Sequence, residues 1–204
     1  MHILLFDNHD SFTWNLAHDL ERAGAEVSVF RAGDVSRSVY SSNTNLRDFI
    51  SGFDGVVLSP GPGMPSEAPM LMEILGTAID QKKPILGVCL GLQAIVEHFG
   101  GELSNMDEVK HGRVTKVVWS EDGDEGKGLF KDLKSPFDVG LYHSWVTLEE
   151  ELPEVLKIEA RSEQGFIMAL RHDSLPISGL QFHPESILTP DGRVILSNWL
   201  SELA

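Results

Sequence analysis

Through the first half of the chain, short apolar runs alternate with stretches whose apolar residues recur at helical spacing. Residues 2–6 predict a strand, followed by the polar turn Asp7-Asn8-His9-Asp10-Ser11. Residues 12–23 predict a helix with Phe12, Leu16 and Leu20 on its inner face, and Gly24 stops it. A second strand is expected over 27–30. Serines and asparagines between 36 and 45 read as a loop leading into a short helix over 46–50. A third strand over 55–58 runs into Ser59-Pro60-Gly61-Pro62-Gly63. The helix predicted over 69–80 turns Leu71, Ile74, Leu75 and Ala78 inward and accepts Pro69 in its first turn, where a missing N–H costs nothing. Pro84 opens the apolar run 85–88, and residues 90–99 then place Leu92, Ile95, Val96 and Phe99 on one side of a helix. Such alternation implies βαβ units, hence an α/β fold with a mostly parallel central sheet flanked by helices, flavodoxin-like in this half.

Past Gly100 the pattern changes. Residues 114–119, 155–160, 166–170 and 177–182 are β-rich and lack helices between them, an additional β-rich portion in the second half. The acidic stretch 121–127 reads as a solvated loop. A closing helix is predicted over 189–203, with Thr189 as its cap and Ile195, Trp199 and Leu203 four apart. No repeat or linker divides the chain, so residues 1–204 are read as one domain.

Composition narrows the function classes. The 204 residues suffice for one large core. A formal net charge of −15 excludes nucleic acid and anionic membrane as partners, since both need positive charge. One cysteine leaves no internal disulfide and no multi-thiolate metal site, which suits a reducing compartment. The N-terminus has no basic region, the run 3–6 is too short for a signal sequence, and nothing approaches a membrane span. A soluble, cytoplasmic protein is the expectation.

The candidate chemistry gathers at one sheet edge, because ligands of open parallel sheets bind beyond the carboxyl ends of the strands. Cys89 lies between the strand 85–88 and the helix after it, flanked by Gly87 and Gly91. Small neighbours relieve the crowding of so sharp a turn, and the helix start aims N–H groups and a positive dipole end at the sulfur, favouring thiolate over thiol. The other reading of a lone cysteine is a buried structural one. His183 ends the strand 177–182 and is followed by Pro184 and Glu185. Residues two apart on an extended chain face the same side, so Glu185 can orient the imidazole as the third member of a triad. A strand end whose His and Glu are merely solvated is equally consistent with this tripeptide. Pro60 to Gly63 is either a rigid turn or an oxyanion loop, in which Gly61 N–H and the Leu90 N–H receive a developing oxyanion. Gln93 lies one helical turn above Cys89 on the cleft side, or is simply an exposed helix residue. Asp10 and Ser11 are read as helix caps.

Gly-Val-Cys-Leu-Gly-Leu-Gln at 87–93, Pro-Gly-Pro-Gly at 60–63 and His-Pro-Glu-Ser at 183–186 together resemble the class I (triad) glutamine amidotransferases. Asp7-Asn8-His9-Asp10-Ser11-Phe12-Thr13, Lys110-His111-Gly112-Arg113 and Tyr142-His143-Ser144 are similar to its chorismate-using branch, the small subunits of anthranilate synthase and aminodeoxychorismate synthase. The resemblance runs from Ile3 to Leu203. It implies a glutaminase with Cys89 as nucleophile, His183 as acid and base, and Glu185 as its orienter. It also implies glutamine binding by Gly61, Pro62, Gly63, Gln93, Ser144 and Trp145, the last partly through its backbone. The implied partner is a chorismate-binding synthase subunit that receives ammonia. No cofactor is implied in this chain; magnesium belongs to the synthase partner. The family often has His at Leu92, Leu at Trp145, Lys at Arg113 and Tyr at Trp14, and none of these positions supplies a reacting group. The loops near His9, 110–113 and 143–145 are expected to feel the partner, with Tyr142 and Trp145 either interface aromatics or, for Tyr142 equally, local packing. A free-standing γ-glutamyl hydrolase would carry the same triad, and a non-catalytic regulatory module would have no need to keep it.

Overall fold

The computed structural model describes residues 1–41, 44–119 and 128–203; the acidic stretch 121–127 lies outside them. Four parallel strands come first: β1 (His2–Phe6), β2 (Glu26–Phe30), β3 (Gly55–Leu58) and β4 (Ile85–Val88). Between and after them run α1 (Thr13–Arg22), α2 (Ala32–Ser41), α3 (Leu46–Ser51), α4 (Pro69–Asp80) and α5 (Leu90–His98). The β-rich half supplies β5 (Ser104–Trp119), β6 (Phe137–Val146), β7 (Leu156–Ser162), β8 (Ile167–His172) and β9 (Ile177–Leu180), and α6 (Gly192–Glu202) closes the chain. All nine strands join one sheet in the order β2-β1-β3-β4-β9-β8-β7-β5-β6. Pairing is parallel from β2 to β9 and antiparallel from there to β6.

The strand pleat sorts the core into two layers, because successive side chains face opposite sides of a sheet. Ile3 and Leu5 of β1 pack with Leu16 and Leu20 of α1 and Trp199 of α6. Leu4 and Phe6 pack with Ile50 of α3, Leu71 and Ile74 of α4 and Ile95 of α5. Strands β3 and β4 are buried at every position, as continuous apolar runs predict for parallel strands covered on both faces. Gly24 ends α1 at φ 100°, where a side chain would be strained, and Ala25 N–H reaches back to Leu20 O at 3.1 Å. No helix among the described residues is long and apolar enough to cross a membrane.

Three details differ from the sequence reading. Residues 32–41 form α2 instead of the start of a loop: Val35, four residues before Val39, is buried, and serines do not prevent a helix whose apolar face finds a core. Strand β6 was not predicted at all. Thr189 does not cap α6, whose cap position is Asp191 without a side-chain bond; Thr189 Oγ1 instead donates to His183 O at 2.7 Å and accepts from Gly140 N–H at 3.0 Å.

Candidate active site

The ends of β1, β3, β4 and β9 bring four turns to one edge. Cys89 follows β4 at φ 52° and ψ −100°, a conformation that crowds any side chain, and serves as the cap position of α5. The flanking glycines are required by contact. A Cβ on Gly87 would lie 2.5 Å from the Gly91 carbonyl, and one on Gly91 would lie 2.5 Å from Leu58 O. Cys89 N–H donates to Leu180 O at 2.7 Å, so the nucleophile turn is bonded to the end of the strand that leads to His183.

His183 and Glu185 are both buried. The imidazole Nδ1–H donates to Glu185 Oε1 at 2.7 Å, leaving Nε2 for the substrate side. Nε2 is buried without a hydrogen-bond partner of normal geometry, yet Cys89 lies near enough to act on the ring's proton affinity. Catalytic hydrogen bonds are often loose before substrate arrives. Burial opposes charging of this ring, but Cys89 and Glu185 outweigh it and hold His183 well above the ordinary imidazole range. The ring is held between Tyr142 and Phe12, with centroids at 4.8 Å and 5.9 Å. Tyr142 OH in turn meets Ser186 Oγ at 3.0 Å. Tyr142 thus packs locally, against the His183 and Phe12 rings.

The loop with Gly61 lies close against the Leu90 side chain and Asn8: a Cβ on Gly61 would lie 2.8 Å from Leu90 Cδ2 and 2.5 Å from Asn8 Cβ. As the first residue of α5, Leu90 has an N–H with no partner inside the helix. Asn8 fixes the loop from the other side, its N–H donating to Ser59 Oγ at 2.9 Å and its Nδ2 to Ser59 O at 3.0 Å. Pro62 and Gly63 are exposed at the loop tip. Gln93 is buried and not a surface residue; its Nε2 donates to Trp145 O at 3.1 Å, as does the ring at His143 Nδ1. Gln93 and the Trp145 backbone are thus joined, while Ser144 and the Trp145 side chain stand half-buried beside them on β6. The backbone of 110–113 pairs with 141–143 of β6, which puts that motif on the same strand pair.

The turn 7–11 is structural. Asp7 is buried and its Oδ2 accepts from Arg31 Nε at 2.7 Å, its Oδ1 from Thr13 Oγ1 at 2.9 Å. Burial alone would raise this carboxyl, but those bonds and the Asp10 N–H hold it below its usual range. Asp10 Oδ1 accepts from Phe12 N–H at 2.8 Å, one residue short of the helix, and Ser11 is exposed, so neither is a formal cap. The sequence reading passed over Asn8, Phe12 as a ring neighbour of His183, and Gln181. Gln181 lies two residues before His183, is 1% exposed, and places Nε2 3.7 Å from Cys89 Sγ. Its position one residue beyond β9, beside the end of β4, was the available signal.

A cysteine in a strained turn at a helix start, a buried His–Glu pair beside it and a close-packed glycine loop are together the parts that thiol-dependent acyl transfer needs. Over residues 4–203 the chain matches the family described as glutamine amidotransferase class-I, and it belongs to that family. It is 42% identical over 201 residues to anthranilate synthase component 2 of Mycobacterium tuberculosis, spanning 98% of this chain and 82% of that one. It is 42% identical over 200 residues to aminodeoxychorismate synthase of Streptomyces griseus, spanning 98% of this chain and 26% of that longer protein. A glutamine amidotransferase of Thermotoga maritima shares the fold, with a TM-score of 0.75 at 14% identity over 100% of this chain and 97% of that one.

Proposed function

We propose that this chain is the cytoplasmic glutaminase subunit of a chorismate-aminating synthase, of the anthranilate synthase component 2 type. The observation that carries the reading is the bridged pair of strand ends, with Cys89 at its strained turn on one and the His183–Glu185 pair on the other. The Cys89 sulfur attacks the side-chain amide carbon of glutamine, and the oxyanion meets the N–H groups of Gly61 and Leu90. Nε2–H of His183 gives its proton to the nitrogen as the C–N bond breaks, and ammonia leaves. Water then adds to the γ-glutamyl thioester, its proton passing to His183, and glutamate departs as the C–S bond breaks. Gly61 to Gly63, Gln93, Ser144 and the Trp145 backbone hold glutamine. No cofactor takes part in these steps; magnesium is assigned to the synthase subunit.

The component 2 names among relatives support a partner, as does the match to about a quarter of the Streptomyces aminodeoxychorismate synthase. Two apolar side chains are left in solvent on the segments that carry Phe12 and Ser186: Trp14 is 57% exposed and Ile187 94% exposed. Glutamine hydrolysis is measured for the isolated chain, then with the synthase subunit and chorismate. The rate is expected to rise by about tenfold or more when both are added. Cys89→Ser is expected to lose about a thousandfold in glutamine-dependent synthesis while ammonia-dependent synthesis by the partner continues. A rate indifferent to the partner would instead mark a free-standing γ-glutamyl hydrolase.

A further inference from the structure

We propose that Gln181 is a positioning residue for the Cys89 sulfur, to which its side-chain amide donates a hydrogen bond. The proposal rests on Cys89 being the nucleophile. Gln181 Nε2 lies 3.7 Å from Sγ, within reach of an N–H···S bond, in a side chain almost wholly removed from water. Both partners hang on one backbone bridge. Gln181 N–H donates to Met168 O at 2.9 Å, and the carbonyl just before it, Leu180 O, accepts from Cys89 N–H at 2.7 Å. The backbones that carry amide and sulfur are therefore held side by side as long as the β4–β9 pairing stays closed.

The other amide atom decides between packing and function. Gln181 Oε1 is buried without a hydrogen-bond partner. An unpaired buried acceptor is a standing cost, and a methionine of similar length would fill the space without it. What the amide supplies and methionine does not is the N–H. A neutral donor can hold an anionic sulfur without placing a second positive charge beside the His183 imidazolium. In thioester hydrolysis the water oxygen bonds to the acyl carbon, its proton goes to His183 Nε2, and the C–S electron pair returns to sulfur. The Gln181 N–H already faces the atom on which that charge grows.

The test compares wild type, Gln181→Met and Gln181→Glu by alkylation of Cys89 with iodoacetamide, by kcat and KM for glutamine in the complex with the synthase subunit, and by thermal midpoint. Gln181→Met is expected to slow alkylation and lower kcat by about tenfold or more with KM within about twofold. Its thermal midpoint should stay close to that of wild type. Gln181→Glu, which sets an anion against the sulfur, is expected to lose more of both. Alkylation at the wild-type rate in Gln181→Met, or a loss confined to KM, would overturn the assignment. If Gln181→Met does not fold, Gln181→Asn takes its place; its amide is one methylene short of the sulfur, and the same outcomes decide. Cys89→Ser is the control that separates the two ideas: if it retained full glutaminase activity, the nucleophile itself would be misassigned, whatever Gln181 does.

Discussion

Imidazole rings taken out of water normally lose their proton, yet His183 keeps its own. The difference is made by its neighbours, the Cys89 sulfur and the Glu185 carboxylate, which outweigh the burial. A resting ring that is already protonated holds the proton the departing ammonia needs. The same shift ties stability to pH. The folded state binds this proton more tightly than the unfolded chain, whose imidazole titrates near the ordinary 6.5. Its contribution is therefore fully present below about pH 6.5 and is lost as pH rises through the higher folded value. Wild type and His183→Gln, compared by urea unfolding, should differ most near pH 6 and progressively less toward pH 9. A gap that stays constant would mean that the ring binds its proton equally well folded and unfolded.

Among the elements, the site depends on strand ends held level with one another. Thr189 is the least obvious of these fastenings, bridging Gly140 of β6 to the His183 carbonyl from inside the loop before α6. Thr189→Val keeps the shape and removes both bonds, taking the acceptor from the Gly140 N–H and leaving the His183 carbonyl with only the Ser186 N–H at 3.2 Å. A loss of about 1–3 kcal/mol in urea unfolding is expected, with a fall in kcat as His183 loosens. Thr189 was read as a helix cap because a threonine ahead of an apolar helix usually is one; nothing local in the sequence reports the Gly140 N–H, 49 residues away, that it also serves. The parallel half was legible for the opposite reason, since strands covered on both faces announce themselves as apolar runs. Strand β6 hid because its alternation rests on Phe137, Val139 and Leu141 and is interrupted by Gly140 and by polar His143 and Ser144. Spacing singled out Cys89 and the His183–Glu185 pair but left the bland alternatives open until the three motifs were taken together, whereas the cluster of tilted rings Phe12, His183 and Tyr142 arises from packing between segments far apart in the chain.

Across the whole molecule, the edge opposite Cys89 carries a different electrostatic arrangement. There Glu159 is pushed up to about 7, first by burial and then by Glu202, although Arg171 Nε at 3.1 Å pulls the other way. The carboxyl is 21% exposed, so solvent screens only part of this. In the unfolded chain Glu159 ionises near 4.5. The folded state therefore prefers the protonated form, and stability falls as pH rises from about 4.5 through 7. Glu159→Gln should match wild type at pH 4 and exceed it by about 2 kcal/mol above pH 8, as read by thermal unfolding at each pH. Equal pH dependence in the two proteins would show that Glu159 ionises freely in the fold. With a formal charge of −15, removing one negative group also relieves repulsion slightly, and in the same direction.

The positive φ at Cys89 bears on how such a protein could be made more heat-resistant. Glycine is ordinarily about 0.5–1 kcal/mol worse than alanine in regular structure. At φ 52° and ψ −100° the order should invert, with Cys89→Gly about 1 kcal/mol more stable than Cys89→Ala, because only glycine adopts that backbone without strain. Calorimetry on the two inactive variants would measure the tension in the turn directly. If alanine proved the more stable, the turn would hold no such tension. Selection for thermal endurance alone would therefore drift toward glycine here and erase the thiol, so that if Cys89 is the nucleophile proposed above, only a demand for turnover keeps this turn wound.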